Sequence, residues 1–313
     1  MTFSRNAAGH LAALLTILIW GTTFISTKVL LRSFSPVEIL FIRFTIGYLS
    51  LLAFFPKFLP FRNLRHELYC AGAGLSGVTL YFLVENIALT HTLASNVGIM
   101  VSAAPLFTAL LAWLWLKRKR PGGRFFLGFG AAIAGIALIV FNGNTVLKLN
   151  PLGDLLAILA ALIWAVYSIL TKLIAGFNLN MVLCTRRIFF YGWLFMIPAL
   201  FLFGFQPETA RCFEWLNLFN LLFLGFGATA LCFAVWNWTV KVLGPVETSL
   251  YIYLVPVVTV LSSALILRER LTPAAIAGTI LTLAGLLISE ERLRLPGIRT
   301  WRSLLKKQTT RPE

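Results

Sequence analysis

Charge is scarce in this 313-residue chain: only 12% of residues are Asp, Glu, Lys or Arg, and 59% are hydrophobic. A soluble domain carries about twice that charge, so an ordinary water-soluble fold is excluded. No interior polar stretch exceeds about ten residues, which leaves no room for a soluble domain between the apolar runs. The four cysteines, Cys70, Cys184, Cys212 and Cys232, form no C-x-x-C pair and fall mostly within apolar runs, so neither a disulfide framework nor a zinc site is indicated. No metal-ligand spacing and no catalytic triad is present, and His91 reads as a surface histidine in a turn. Gly72-Ala-Gly74-Leu-Ser-Gly77 matches a dinucleotide-binding fingerprint but lies inside an apolar run with no preceding strand; it reads as small-residue helix packing, as do Gly128 and Gly135. The absence of a nucleotide-binding loop argues against a primary pump.

Acidic residues are the scarcer sign, 11 against 27 basic, giving a net charge of +16. The basic residues sit beside apolar runs, which marks membrane topology rather than nucleic-acid binding. Ten runs are long enough to cross a bilayer: Gly9–Leu31, Pro36–Phe55, Glu67–Leu89, Ser95–Leu116, Arg124–Phe141, Leu152–Ile174, Met181–Phe203, Leu216–Val240, Pro245–Leu267 and Pro273–Ser289. Short links predict that sequential helices pack antiparallel, side by side. The first run is too long for a signal-peptide core and reads as an uncleaved anchor. With the N-terminus in the cytoplasm, Lys and Arg favour the cytoplasmic segments by about three to one, so both ends are expected there. The basic tail after residue 290, with Trp301, Leu304 and Leu305 interleaved, reads as a solvated positive-inside tail, or else a helix lying on anionic lipid.

The chain repeats itself. Ile19-Trp20 aligns with Ile163-Trp164, Thr27-Lys28 with Thr171-Lys172 and Arg43 with Arg187, each 144 positions on. In the later helices Asn86 falls on Asn237, Asn96 on Glu247, Met100 on Tyr251 and Pro105 on Pro256, 151 positions on. The expected fold is therefore an all-α polytopic membrane protein of ten transmembrane helices in two five-helix repeats, residues 9–141 and 152–289, flanked by cytoplasmic segments 1–8 and 290–313. Five is odd, so the second copy enters the membrane inverted, an architecture of secondary transporters with the solute site between the repeats.

Ionisable side chains inside such spans are costly and each is a functional candidate. Lys28, Arg43 and Glu85 form one set and Lys172, Arg187 and Glu247 the other, at opposite ends; each set reads as an ion-paired gate, or else as interface-seeking lysines and arginines bonded to carbonyls. Glu85 suits solute recognition or proton coupling, because its short side chain cannot reach the interface. Helical spacing predicts a cavity wall from Trp20, Phe24 and Thr27; Trp164, Tyr167, Ser168 and Thr171; Asn86; Asn96, Met100 and Ser102; Trp236 and Asn237; and Tyr251 and Tyr253 beside Glu247. An aromatic wall with scattered hydroxyls and amides suits an amphipathic solute, and plain helix packing is the competing reading. Pro105 and Pro256 are expected to kink their helices.

Trp20-Gly21, the Arg43 helix, the run E-N-I-A-L-T-H-T-L-A-S-N from Glu85 to Asn96, Pro105, Gly128 and Gly135, with second-half echoes through Tyr251–Pro256 and Glu269, resemble the EamA-type ten-helix members of the drug/metabolite transporter superfamily over nearly the whole chain. Arg118 departs from the pattern, standing where that family usually has an acid. The resemblance implies a cofactor-free protein that exports or imports small organic solutes, usually amino acids or related metabolites. The leading reading is a secondary transporter rather than an enzyme, an exporter in a bacterial inner membrane that takes no nucleic acid. The other readings are a carrier of sugar-phosphates or nucleotide-sugars, which would need cations inside the cavity, and an intramembrane enzyme or helical scaffold.

Overall fold

Hydrocarbon offers the backbone no hydrogen bonds, so each apolar run must satisfy its own amides as helix. The computed structural model describes residues 5–116, 122–141, 151–206, 209–243, 248, 251–269 and 272–289, and among these there is helix and no strand. Glu247, the Lys117–Arg120 block, Arg270, Leu271 and the tail from 290 onward lie outside the described residues.

The main helices are α1 (Arg5–Leu30), α2 (Pro36–Phe54), α3 (Leu64–His91), α4 (Ala94–Trp115), α5 (Gly123–Phe141), α6 (Pro151–Ala175), α7 (Met181–Leu202), α8 (Trp215–Thr239), α9 (Tyr251–Leu267) and α10 (Pro273–Ser289). Seven described helices, α1–α4 and α6–α8, are long and apolar enough to cross a membrane; α5, α9 and α10 contribute shorter apolar stretches. Large apolar side chains such as Leu11, Leu15, Leu68, Leu155 and Leu231 are exposed on outward faces, while Thr27, Arg43, Glu85 and Thr229 are buried. That inside-out distribution suits lipid as the solvent.

Helix starts follow local capping chemistry. Ser35 opens α2 with a capping box: Glu38 N–H donates to Ser35 Oγ (3.3 Å) and Ser35 N–H donates to Glu38 Oε2 (2.7 Å). Asn63 caps α3 and Asn180 caps α7.

The expectation that sequential helices pack side by side needs correcting. The most extensive contacts run between the two halves: α5 on α10, α3 on α6, α1 on α8, α2 on α8, α4 on α6, α1 on α9, α3 on α7 and α4 on α9. The short links reverse the chain, but the small residues that permit close approach face the other half. An added Cβ at Gly74 would lie 2.6 Å from Gly192 N and 2.7 Å from Ile188 O; one at Gly225 would lie 2.6 Å from Ile46 and 3.1 Å from Arg43 O. Exchanging each helix with the one five places on maps this pairing onto itself.

Those contacts also fix the register. Gly74 corresponds to Gly225, Gly47 to Gly192 and Arg43 O to Ile188 O, and the caps Ser35 and Asn180 keep the same 145-residue spacing as Gly47 and Gly192. The structural partner of Arg43 is thus Ile188 rather than Arg187. One residue is about 100° around a helix, so the two arginines face different surroundings.

Four helices are irregular. α3 contains a π-helical stretch, Leu75–Leu80, and α8 another, Phe223–Leu231. α4 breaks at Ser102–Ala103, just before Pro105, and α9 begins as a 3₁₀ turn, Tyr251–Leu254, just before Pro256. A proline supplies no N–H to the preceding turn, which accounts for the last two.

Candidate functional site

Two of these irregularities, the α4 break and the 3₁₀ turn of α9, border one cavity, and the two π-helical stretches end just before its lining on α3 and α8. Its lining includes Trp20, Thr23 and Phe24 from α1, Arg43 from α2, Tyr81, Phe82 and Glu85 from α3, Val101, Ser102 and Ala104 at the α4 break, Trp164 from α6, Phe233 from α8, and Ile252 and Val255 from α9. The cavity volume is about 60 Å³, enough for a few waters in this conformation. Irregular backbone at membrane depth is tolerated where it borders such a space.

Aromatic rings make most of the wall. Trp20 lies 4.9 Å from Trp236, 5.4 Å from Phe233 and 6.2 Å from Trp164, centroid to centroid, and its Nε1 donates to Ala228 O at 3.0 Å. Trp164 meets Tyr81 at 4.8 Å and Tyr167 at 4.9 Å. The apolar part of the wall is two-fold: Trp20 answers Trp164, Phe82 answers Phe233, Val101 answers Ile252 and Ala104 answers Val255.

The charged part is one-sided. Glu85 is 1% exposed, and its Oε1 is buried without a hydrogen-bond partner. Tyr81, one turn earlier, and Arg43 face its carboxylate. Arg43 is 2% exposed; its Nε donates to Thr229 Oγ1 at 2.7 Å and its guanidinium lies 4.2 Å from the Phe82 ring centroid. The corresponding positions of the other half hold Ile188, Trp236 and Cys232, none of them charged.

The cavity thus gathers Trp20, Phe24, Glu85, Ser102 and Trp164 from the sequence-expected wall, with Tyr167 and Trp236 in ring contact behind it, and adds Arg43, which the sequence reading put in a gate. Tyr81, Phe82, Phe233 and Thr23 were missed; Phe82 and Phe233 could have been found as an aromatic pair 151 residues apart. The other expected wall residues are placed elsewhere. Asn86 donates to Pro36 O at 3.0 Å, Asn96 to Thr92 Oγ1 at 3.2 Å, Ser168 to Trp164 O at 2.9 Å, and Asn237 to Thr185 Oγ1. Met100 and Tyr253 are buried, and the Tyr251 hydroxyl meets His10 Nδ1 at 2.8 Å. Thr27 is fully buried with an unpartnered hydroxyl, and Thr171 bonds to carbonyls of its own helix.

The other described gate residues sit at the bundle ends. Lys28 donates to Leu89 O and, at 2.7 Å, to Thr92 O, capping the end of α3. Arg187 donates to Glu67 Oε1 at 2.7 Å and to Leu59 O. Lys172 is exposed.

The EamA-like transporter family matches residues 7–141 and again 151–289. The chain belongs to this family. Relatives of it include an "Uncharacterized transporter" of Archaeoglobus fulgidus, 28% identical over 91% of this chain and 98% of that one. A "Probable amino-acid metabolite efflux pump" of Escherichia coli is 26% identical over 94% and 96%. A "Probable terminal-alkyne amino-acid exporter" of Streptantibioticus cattleyicolor is 26% identical over 90% and 93%. One solved structure superposes with a TM-score of 0.64 at 20% identity, covering 93% of this chain and all of the other, which establishes a shared fold. This is an integral membrane protein of the drug/metabolite transporter type, and the family and its named relatives point to transport rather than catalysis.

Proposed function

We propose that the protein is a secondary transporter that exports small amphipathic organic solutes, amino acids or related metabolites, across a bacterial inner membrane. Its ten crossings form two inverted five-helix repeats that rock about the central cavity, with both chain ends cytoplasmic. The self-mapping of helix contacts between halves supports the inverted repeat, and the loop charges support the orientation. α5, α9 and α10 supply the crossings beyond the seven longer helices.

The observation that carries the reading is a two-fold aromatic cavity with charge on one side only: Arg43 and Glu85 from the first half, apolar counterparts from the second. A solute with a polar head and an apolar body fits that division. The names of two relatives, one an amino-acid metabolite efflux pump and one a terminal-alkyne amino-acid exporter, agree with it. A phosphate-bearing solute fits poorly, because Arg43 is the one cation lining the described cavity and it faces a carboxylate. Where export is driven by protons, Glu85 is the lining carboxylate placed to carry them.

The test is counterflow in proteoliposomes with labelled amino acids and amphipathic metabolites, wild type beside Glu85→Gln. Exchange of at least one solute by the wild type, reduced at least tenfold in the variant, is expected. Undiminished exchange in Glu85→Gln would remove Glu85 from the path, and no exchange by the wild type for the whole panel would reject the transport reading.

A further inference from the structure

We propose that the cavity holds its solute as a zwitterion, carboxylate on Arg43 and ammonium on Glu85, and that Thr229 from the opposite half is the positioning residue for Arg43. This rests on the transport reading and names the head group that it leaves open.

Arg43 and Glu85 line one cavity, yet no nitrogen of one comes within 4.0 Å of an oxygen of the other. Two buried opposite charges that could close into a pair are instead held apart. Each also keeps unused bonding capacity. Arg43 spends Nε on Thr229, and its Nη atoms have no hydrogen-bond partner among the described residues. Glu85 keeps Oε1 without a partner. A guanidinium with both Nη atoms available receives a carboxylate as a fork. A carboxylate oxygen in a cavity that Trp20 and Trp164 also line receives an ammonium, which aromatic rings also attract. A zwitterion compensates both charges together, whereas an amine or an acid alone leaves one buried charge unmet.

Thr229 decides where the Nη fork points. It is fully buried in the π-helical stretch of α8, and its Cγ2 packs against the position of Gly47. Its counterpart is Val78, which packs against Gly192 in the same way, in the half where Ile188 stands at the position of Arg43. Nearly identical shapes occupy the two places, and only the one beside Arg43 bears a hydroxyl. Packing explains the shape at both; it does not explain the hydroxyl at one.

The experiment uses the full chain in proteoliposomes. Counterflow of labelled leucine and phenylalanine is competed by each amino acid, by the amine lacking its carboxylate and by the acid lacking its amine. In the wild type the amino acid should compete about a hundredfold better than either analogue, since a site built for a polar group rejects analogues lacking it. Thr229→Val should narrow the preference over the amine at least tenfold, and Thr229→Ser should restore it. Arg43→Gln, which leaves the Thr229 hydroxyl in place, should collapse the same ratio. A purely structural role for Thr229 would weaken amino acid and amine alike, and an unchanged ratio in Thr229→Val overturns the assignment. Wild-type exchange of some other solute but of neither amino acid overturns the zwitterion while leaving transport standing. Exchange of nothing rejects both.

Discussion

Where α2 gives way to α3, Glu67 is bonded twice: Arg187 Nη1 donates to Oε1 at 2.7 Å and the Tyr191 hydroxyl donates to Oε2 at 2.6 Å. Arg186, next to it, donates to the carbonyls of Phe55 and Lys57, so two consecutive arginines of α7 clasp the link that follows α2. Glu67 is 6% exposed, and Glu67→Gln removes the charge that answers Arg187 and leaves one acceptor oxygen where two served Arg187 and Tyr191. Glu67→Gln should therefore cost about 2 kcal/mol. It should appear as a lowered unfolding temperature in detergent, while Arg187→Lys, which keeps charge but not the fork, should lose a smaller part. An unchanged melting temperature in both would show the cluster to be inert. In the sequence Glu67 marked only the start of a span, since nothing local announces a partner 120 positions away. Arg43 and Arg187 looked equivalent for a related reason: matching identical letters hid the one-residue shift that the caps and glycines impose.

The turn between α3 and α4 shows how elements are joined. Lys28 supplies a cation to the carbonyls that end α3, and Glu269, following α9, accepts from Ala94 N (3.0 Å), Ser95 N (3.3 Å) and Ser95 Oγ (2.7 Å) at the start of α4. Each sign sits at the helix end whose dipole it opposes. Thr92, between them, donates to Asp154 Oδ1 of α6 at 2.6 Å. Glu269→Ala should destabilise the protein by about 1–2 kcal/mol, the usual scale of a lost N-cap. Thermal unfolding of Glu269→Gln, which retains one acceptor oxygen, should fall between the variant and wild type; a Glu269→Ala protein as stable as wild type would count against the cap. The elements themselves were legible from run length, and the prolines announced the breaks in α4 and α9. The π-helical stretches were not legible: Leu75–Leu80 and Phe223–Leu231 read as continuous apolar helix, and the extra residue in each turn is accommodated by packing against the opposite half. The glycine run did point to close packing, and Gly77 shows its degree, since an added Cβ there would fall 2.1 Å from the Tyr167 ring. Gly77→Ala should cost about 1–3 kcal/mol through overpacking, and because the Tyr167 ring is held against Trp164 at a tilt, Tyr167→Phe should not relieve it while Tyr167→Leu should in part.

At the scale of the molecule, the repeat in the sequence foretold two similar halves but not their interlocking, because the letters that align along the chain do not reveal which faces meet across it. The loop charges, in contrast, bear on orientation directly, and the structure supplies the markers to test them. Phe58 and Phe213 are each 75% exposed. Phe58 lies in the link clasped by Arg186, at the start of α7. Phe213 follows Arg211, which donates to Ser33 O beside the start of α2. α2 runs from the second of these places to the first, so the two phenylalanines mark opposite ends of the bundle. In the orientation we propose from the excess of Lys and Arg, the Phe58 end faces the cytoplasm. Phe58→Cys should accordingly react with a membrane-impermeant maleimide only in inside-out vesicles, and Phe213→Cys, made with Cys212→Ala, only in intact spheroplasts; the buried Cys70, Cys184 and Cys232 should stay silent in both. Labelling in the reverse pattern would keep the fold and turn the molecule over, so that the cavity faces the opposite compartments in the transport cycle. Labelling of both positions from one side would contradict a membrane crossing by α2 and α7 altogether, and with it the inverted repeat and alternating access that we propose.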